Sequence, residues 1–390
     1  MKRFNNNIFK YYLFSSLSSA VFFYAIDKIF MELRGLAVSE IVWVEIVYMV
    51  VVLLLEVPSG AIADRWSRKY VLIFNMLFFI ANTAVWIFAG DVFVFILGAV
   101  CGSMQTVLIS GTGNAFLYDS LKQYSLEKQY EKILGKVRFY SAITGALAGI
   151  VGGIISQYLG LIYTFWFTLP ILLIGLIVAL TFKEPKFHRT TGEINYWQHI
   201  KSTGKYLWKH KLLWNIITIM VVLGVVMGLV DEYVQLYFFD IGLALVWMGF
   251  ISAFAGITEA FAGRWSYKLK KYKQKYVYLI LIIVSMFGFL FIGLLNSFWG
   301  ILFAFLPGLT FYVIEPLLLG KLHKELSSSQ RATGESFVSL LRSLIYIPMA
   351  LFFGFTSDKL SIGKAYLFVG VFLFIFVVYY IISIIYYRKD

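Results

Sequence analysis

Apolar stretches of about 20 residues follow one another along nearly the whole chain, separated by short polar gaps. A helix rises about 1.5 Å per residue, so a stretch of that length crosses a hydrocarbon core of roughly 30 Å. The pattern predicts twelve membrane-spanning helices, over 9–33, 38–62, 70–89, 92–121, 137–159, 161–182, 212–238, 244–268, 277–296, 298–323, 332–357 and 364–387. The one long polar connector separates six spans from six. The expected organisation is therefore an N-terminal six-helix half (1–182), a cytoplasmic linker (183–211) and a C-terminal six-helix half (212–390). An internal echo agrees with this division: Asp64-Arg65-Trp66-Ser67-Arg68-Lys69 after span 2 is matched 199 residues later by Gly263-Arg264-Trp265-Ser266-Tyr267-Lys268 after span 8. A weaker echo pairs Asp119 near the end of span 4 with Glu315 in span 10. The fold class read from this pattern is an all-α integral membrane protein, with 12 transmembrane helices in two pseudo-repeats.

Charge orients the pattern. Of the 34 lysines and arginines, 29 lie in or beside one alternate set of gaps, and only Lys28, Arg34, Arg342, Lys359 and Lys364 fall outside it. Basic loops are retained on the cytoplasmic side, and an even number of spans brings both termini there. The expected location is a cell membrane, multi-pass, with both termini cytoplasmic. The abundance of Phe, Tyr, Ile, Lys and Asn is what an AT-rich bacterial genome encodes. Span 1 continues through bulky Phe22, Phe23 and Tyr24 into a second span, unlike a cleavable signal sequence, so it is expected to be retained.

Composition narrows the function classes. The chain is 60% hydrophobic and 14% charged, with a mean hydropathy of +0.80. Its net charge of +13 follows from basic loops lying against anionic headgroups. Binding nucleic acid would need a basic folded domain, and the longest loop has only about 30 residues. The single cysteine, Cys101, lies inside span 4, which excludes an intramolecular disulfide and a cysteine metal cluster. His188, His199, His210 and His323 lack a ligand spacing, and no Gly-Lys-Ser/Thr phosphate loop is present. No enzyme chemistry, metal or cofactor is expected; an ion gradient is the remaining source of energy.

Two segments carry a family likeness. Gly60-Ala61-Ile62-Ala63-Asp64-Arg65-Trp66-Ser67-Arg68-Lys69 lies between spans 2 and 3. By its own chemistry, Asp64 is expected to begin span 3 and cap its free amides, with Arg65, Arg68 and Lys69 at headgroup level. The segment resembles the loop 2–3 signature of the major facilitator superfamily: Gly, three residues, Asp, a basic residue, one residue, Gly and two basic residues. Ser67 stands where that pattern has glycine. Ser110-Gly111-Thr112-Gly113-Asn114-Ala115-Phe116-Leu117-Tyr118-Asp119-Ser120-Leu121-Lys122 resembles the end of span 4 in a bacterial group of drug or small-molecule exporters. Gln330-Arg331-Ala332-Thr333 at the start of span 11 is similar to the same group. The resemblance implies two facing six-helix repeats with a substrate site near the midplane. It also implies a conformational gate formed by Gly60, Asp64, Arg65, Arg68 and Lys69, which latches the halves on the cytoplasmic face. A purely topogenic role for these basic residues is the alternative. Drug–proton antiporters often carry an arginine in span 4, whereas residues 92–118 hold no charge; span 5 keeps small residues through Gly152-Gly153 without the usual proline. Both departures bear on the direction of transport.

The charges inside the spans are selective. Spans 3, 6, 9 and 12 have none in their apolar parts, and in the resembled fold these four lie at the periphery. Charges fall instead in span 1 (Asp27, Lys28), span 2 (Glu45, Glu56), span 7 (Asp231, Glu232), span 8 (Glu259), span 10 (Glu315) and span 11 (Arg342). A charge in lipid costs at least ~2.5–3.5 kcal/mol at a helix centre, so these residues should face protein or water and are candidates for proton coupling or for cavity charge. Asp27 can meet Glu45 at similar depth, or pair with Lys28 or Arg34 at the outer surface. Two neighbouring carboxylates can share a proton. Of the adjacent Asp231 and Glu232, about 100° apart around the helix, Asp231 is the better candidate to face the cavity. Arg342 is the natural counter-ion for Glu259 or Glu315, as a structural pair or a substrate contact. Tyr24, Tyr48, Tyr233 and Tyr237 are candidate stacking surfaces for apolar or cationic substrates. Trp43, Trp86, Trp166, Trp247 and Trp299 are expected in interfacial belts, and Gly145, Gly149, Gly152 and Gly153 in span 5 allow close helix approach.

The function expected from these features is a secondary active transporter, working as a monomer in the lipid bilayer. Its partners are a small-molecule substrate and protons, with export of amphipathic compounds or drugs by proton antiport. The alternatives are a dedicated carrier for one metabolite, lipid or natural product, and a receptor or scaffold that keeps the transporter fold.

Overall fold

The computed structural model describes residues 6–65, 67–185, 211–326 and 331–386, and these are helical with no strand. The chain divides into two compact units, Met1–Gly192 with Ala244–Ala253, and Glu193–Leu243 with Phe254–Asp390. Eleven described helices are long and apolar enough to cross a membrane. The twelfth expected span is present in two pieces, Asn6–Ser19 and Asp27–Leu33, each too short to cross alone.

The break in span 1 corrects the sequence expectation of one continuous helix over 9–33. The hydroxyls of Ser18 and Ser19 donate back to the carbonyls of Phe14 and Ser15 at 2.9 and 3.0 Å, which competes with the helix ladder. Beyond them the chain is pinned from outside: the Phe22 N–H donates to Thr168 Oγ1 of span 6 at 3.2 Å. Gly152 of span 5 lies so near that an added Cβ would overlap the Phe22 carbonyl. The helix restarts at Asp27, whose carboxylate accepts the Lys28 N–H at 2.9 Å. Val21, Phe23 and Ile26 anchor the break in the core, with Phe23 stacked on Phe165 at 4.3 Å, while Tyr24 turns outward at 56% exposure.

In the first unit span 2 runs Val38–Arg65 and span 3 Arg68–Phe88, with the side chains of 56–65 outside the described residues. Span 4 starts under an Asp91 cap, whose side chain accepts from the N–H groups of Phe93 and Val94. It bends at Gly111, which takes a left-handed φ of 68°, and continues over Thr112–Lys122. Spans 5 and 6 are Tyr130–Tyr158 and Leu161–Leu180. Span 3 is stitched to span 4 by one face of polar side chains. Asn75, Asn82 and Trp86 donate to the carbonyls of Gln105, Gly98 and Phe95 at 2.7, 2.8 and 3.0 Å. Trp86 is therefore a buried packing residue, not part of an interfacial belt; Trp43, Trp166, Trp247 and Trp299 are exposed.

The second unit holds span 7 (Lys211–Asp240), most of span 8 (Leu245–Trp265), span 9 (Gln274–Leu295), span 10 (Trp299–Glu325), span 11 (Arg331–Lys359) and span 12 (Ile362–Tyr386). Part of its packing repeats that of the first unit. Span 3 packs on spans 4 and 6 and span 1 on span 5; at the equivalent places span 9 packs on spans 10 and 12 and span 7 on span 11.

If the approach of span 5 to the Phe22 carbonyl holds the break, Gly152→Ala should lower the melting temperature of the purified protein in detergent by several degrees, in line with about 1–3 kcal/mol for overpacking. Gly135→Ala, with no atom within 4 Å of the added Cβ, should leave it unchanged or raise it. Equal effects at the two positions would contradict this origin of the break.

Candidate functional site

At the end of the first unit that carries its basic loops, the start of span 3 collects a carboxylate from far along the chain. Span 2 stays helical through Arg65 and Ser67 occupies the N-cap position of span 3. Asp64 therefore lies in the last turn of span 2 and does not begin span 3, which corrects its expected capping role. Glu184, just after span 6, takes that role: it accepts the N–H groups of Arg68 and Lys69, both at 2.9 Å, and the Ser67 hydroxyl at 2.5 Å. An anion at this position meets the positive end of the helix dipole. Arg68 reaches across to span 4, where it pairs with Asp119 and donates to the Ala115 carbonyl at 2.7 Å. Both side chains of the pair are nearly buried. Tyr118 remains exposed, its ring edge-on to Tyr130 at 5.3 Å. Of the five expected gate residues, Gly60, Asp64 and Arg65 have side chains outside the described residues, so Arg68 and Lys69 carry the description.

At the opposite end of the same unit, span 1 restarts with a buried ion cluster. Lys28 is 3% exposed, and its ammonium pairs with Asp27 at 3.1 Å and with Glu45 of span 2. Asp27 and Glu45 do share a site, as the sequence placed them, but through a lysine between them. Arg34 takes no part: it donates to the Ile87 carbonyl at 3.3 Å and lies over the Phe30 ring. One turn from Glu45 along span 2, Tyr48 shares a 2.7 Å hydrogen bond with Thr106 of span 4, which in turn donates to Gln105 Oε1 at 3.2 Å. In the break, the amide nitrogens of Phe23, Tyr24 and Ala25 donate to no acceptor among the described residues. Irregular backbone at membrane depth is tolerated where it is buried in protein or lines a watered cavity. The exposed Tyr24 marks the open side.

The second unit has its own cluster, on spans 7, 8, 10 and 11. Arg342 of span 11 faces Glu315 of span 10 at 3.9 Å, the outer limit of an ion pair, and lies over the Phe311 ring at 5.9 Å. Its Nε is buried with no hydrogen-bond partner among the described residues. Gly224 of span 7 makes room for the guanidinium, which an added Cβ would displace. Glu259 of span 8 lies against Gly308, close to the Tyr312 hydroxyl. Asp231 is exposed and Glu232 half-buried. The charged neighbours of Asp231 are Glu259 and Glu232, and neither Asp231 nor Glu259 forms an ion pair among the described residues. Tyr233 and Tyr237 are fully buried: Tyr233 stacks on Phe353 at 5.2 Å, and Tyr237 donates to the Ser297 carbonyl at 3.4 Å. Both rings are packing groups in this conformation, which leaves Tyr24 and Tyr48 as the accessible aromatics of the expected four. No group of three or more potential metal ligands is present among the described residues.

A double-mutant cycle tests the Arg68–Asp119 pair. Asp119→Ala alone leaves a nearly buried cation without its partner and should cost about 3 kcal/mol. Adding Arg68→Ala should recover part of that loss, with a coupling of about 1–3 kcal/mol in thermal unfolding. Additive losses would show that the two side chains act separately.

Known proteins share this architecture. The family model described as Major Facilitator Superfamily matches residues 8–344. The chain is 26% identical over 352 residues to a Bacillus subtilis (strain 168) protein described as an uncharacterized MFS-type transporter, YxaM, over 85% of this chain and 84% of that one. In fold it is similar to the nucleoside transporter NupG, with a TM-score of 0.75 and 13% identity over 98% of each chain. It is also similar to a bacterial homolog of the human lysosomal transporter Spinster, inward-facing and unoccupied, with a TM-score of 0.72 and 14% identity over 97% of this chain and 95% of that one. A match along that length of sequence, carried on twelve spans in two like-packed units, has one meaning: the chain belongs to the major facilitator superfamily and is a multi-pass membrane transporter of small molecules.

Proposed function

We propose that the protein is a proton-coupled secondary transporter that exports small amphipathic molecules in exchange for protons, by alternating access, from a cell membrane in which its basic loops and both termini are cytoplasmic. The observation that carries this reading is Asp231: an exposed carboxylate on a membrane-spanning helix, with acidic neighbours and no ion-pair partner among the described residues. An ionisable group placed so inside a span is a natural proton carrier. Arg342 supports the reading from the same unit. Held loosely by Glu315 and with an unsatisfied Nε, it is free to exchange partners as the transporter changes state. Asp27 and Glu45, clamped by Lys28, act as a charge cluster that holds the outer end of the first half rather than as the coupling site. Arg68 and Lys69, ordered by Glu184 and Asp119, form the described part of the gate.

A second reading, a dedicated carrier for one polar metabolite, is favoured by the unpaired amides of the span 1 break and the Tyr48–Thr106–Gln105 chain, which can read specific hydrogen-bonding groups. The structurally similar proteins include a nucleoside transporter and a D-xylose–proton symporter.

Uptake of a fluorescent lipophilic cation into inside-out vesicles, with an imposed inside-acid gradient, tests the first reading. Wild type should accumulate the dye in a gradient-dependent way. Asp231→Asn should abolish that component while leaving gradient-independent exchange, and Asp27→Asn should act only through stability. Undiminished gradient-driven uptake by Asp231→Asn would remove this residue from the coupling site. Absence of uptake by wild type would favour the dedicated carrier.

A further inference from the structure

We propose that the second unit carries a binding site for a phosphate group, filled in the membrane by the headgroup of an anionic phospholipid. The site is a cleft of about 140 Å³ among the ends of spans 7, 9, 10 and 12, and its polar lining consists of Asn215, Lys275, Tyr278, Lys321, Tyr380 and Ser383. Each of these side chains can donate a hydrogen bond, and none is acidic. Neither lysine forms an ion pair with a carboxylate among the described residues; the Lys275 ammonium lies over the Tyr276 ring at 5.4 Å. Two cations facing one space with no counter-ion among the described residues repel each other, which an anion between them relieves.

Tyr278 is the second, independent sign of a ligand. It is only 3% exposed, it lines the cleft, and its hydroxyl has no hydrogen-bond partner among the described residues. Tyr380, by contrast, spends its hydroxyl on the Lys275 carbonyl at 3.4 Å, which fixes the start of span 9 at the rim. The Tyr278 hydroxyl opens onto the cleft, where an acceptor on a ligand can take its hydrogen bond.

The depth of the cleft selects the source of the phosphate. Lys275 stands in the first turn of span 9 and Lys321 in the closing turns of span 10; Asn215 lies near the start of span 7 and Ser383 near the end of span 12. Two helix starts and two helix ends therefore meet on one side of the unit, the side that carries the basic loops. Ile216, Ile219 and Ile384 complete the lining with an apolar wall. Donors at headgroup level beside an apolar wall match a phosphodiester joined to acyl chains, whereas soluble phosphate would leave that wall unused. Basic pockets between spanning helices on the cytoplasmic side are suited to such headgroups. A lipid held here ties span 7, which carries Asp231, to span 10, which carries Glu315, so membrane composition acts on the charge cluster through the helices that bear it.

Native mass spectrometry and thermal melting of the full-length protein in detergent test the site, with dioleoylphosphatidylglycerol, dioleoylphosphatidylcholine and inorganic phosphate as probes. The phosphatidylglycerol should remain bound and raise the melting temperature, and the phosphatidylcholine should do neither. Lys275→Gln/Lys321→Gln should weaken phosphatidylglycerol binding about tenfold or more. Tyr278→Phe, which removes only the hydroxyl, should weaken it measurably in a protein of wild-type fold. Lys271→Gln/Lys273→Gln, with the same loss of charge outside the cleft, should not. Equal weakening by both double variants, or unchanged binding in Tyr278→Phe and Lys275→Gln/Lys321→Gln, would overturn the site. Stabilisation by inorganic phosphate that depends on the same residues, without retention of phosphatidylglycerol, would overturn the lipid as its occupant.

Discussion

An ammonium group at 3% exposure inside a membrane span has to be matched by fixed negative charge, and the ion cluster of Lys28 with Asp27 and Glu45 meets that demand. Removing either type of charge alone would leave the other buried without compensation, a loss of several kcal/mol (about 3–5). The requirement organises the outer end of the first unit. Asp27 must sit where span 1 restarts, because it both accepts the Lys28 amide and faces the Lys28 ammonium. Span 2 must present Glu45 at the same depth. The unwound segment before Asp27 is in turn held by Thr168 and by the space that Gly152 leaves. An unwound, polar stretch of backbone is thus kept in a membrane-spanning element by contacts with spans 2, 5 and 6.

The two units share a packing plan and differ in how their charges are matched. In the first unit Lys28 is closed between two carboxylates and Arg68 is paired with Asp119. In the second, the Arg342–Glu315 contact is loose, and Asp231 and Glu259 have no cationic partner among the described residues. A tight cluster resists change, whereas a loose one can accept a proton or a substrate group. This asymmetry is why the coupling role is assigned to the second unit, although both carry acids at comparable positions along their helices.

Much of this was legible in the sequence, because membrane crossing imposes one length scale and one polarity rule. The spans, the charge-free character of spans 3, 6, 9 and 12, the proximity of Asp27 to Glu45 and a partner for Arg342 among Glu259 and Glu315 all follow from spacing and from the cost of charge in lipid. What escaped depends on residues distant in sequence. No proline or glycine marks the break in span 1; Gly152 and Thr168, on other helices, hold it open. Span 3 is capped by Glu184 from beyond span 6, so nearby Asp64 was the wrong carboxylate to expect. Trp86 reads as an interfacial residue by type, yet its indole is buried by a carbonyl of span 4 and by Gly98. The cleft donors come from four spans, and no local pattern joins them.

On the proposed function, Lys28 locks Asp27 and Glu45 in the first unit and Asp231 is the group that takes up a proton. Difference infrared titration of the carboxylic C=O stretch reads this directly and needs no substrate. Measured on wild type, Asp231→Asn and Asp27→Asn across the pH range in which the protein stays folded, it should show a protonation band in wild type that persists in Asp27→Asn and disappears in Asp231→Asn. A band that survives in Asp231→Asn and is lost in Asp27→Asn would contradict the account and move the proton to the Lys28 cluster.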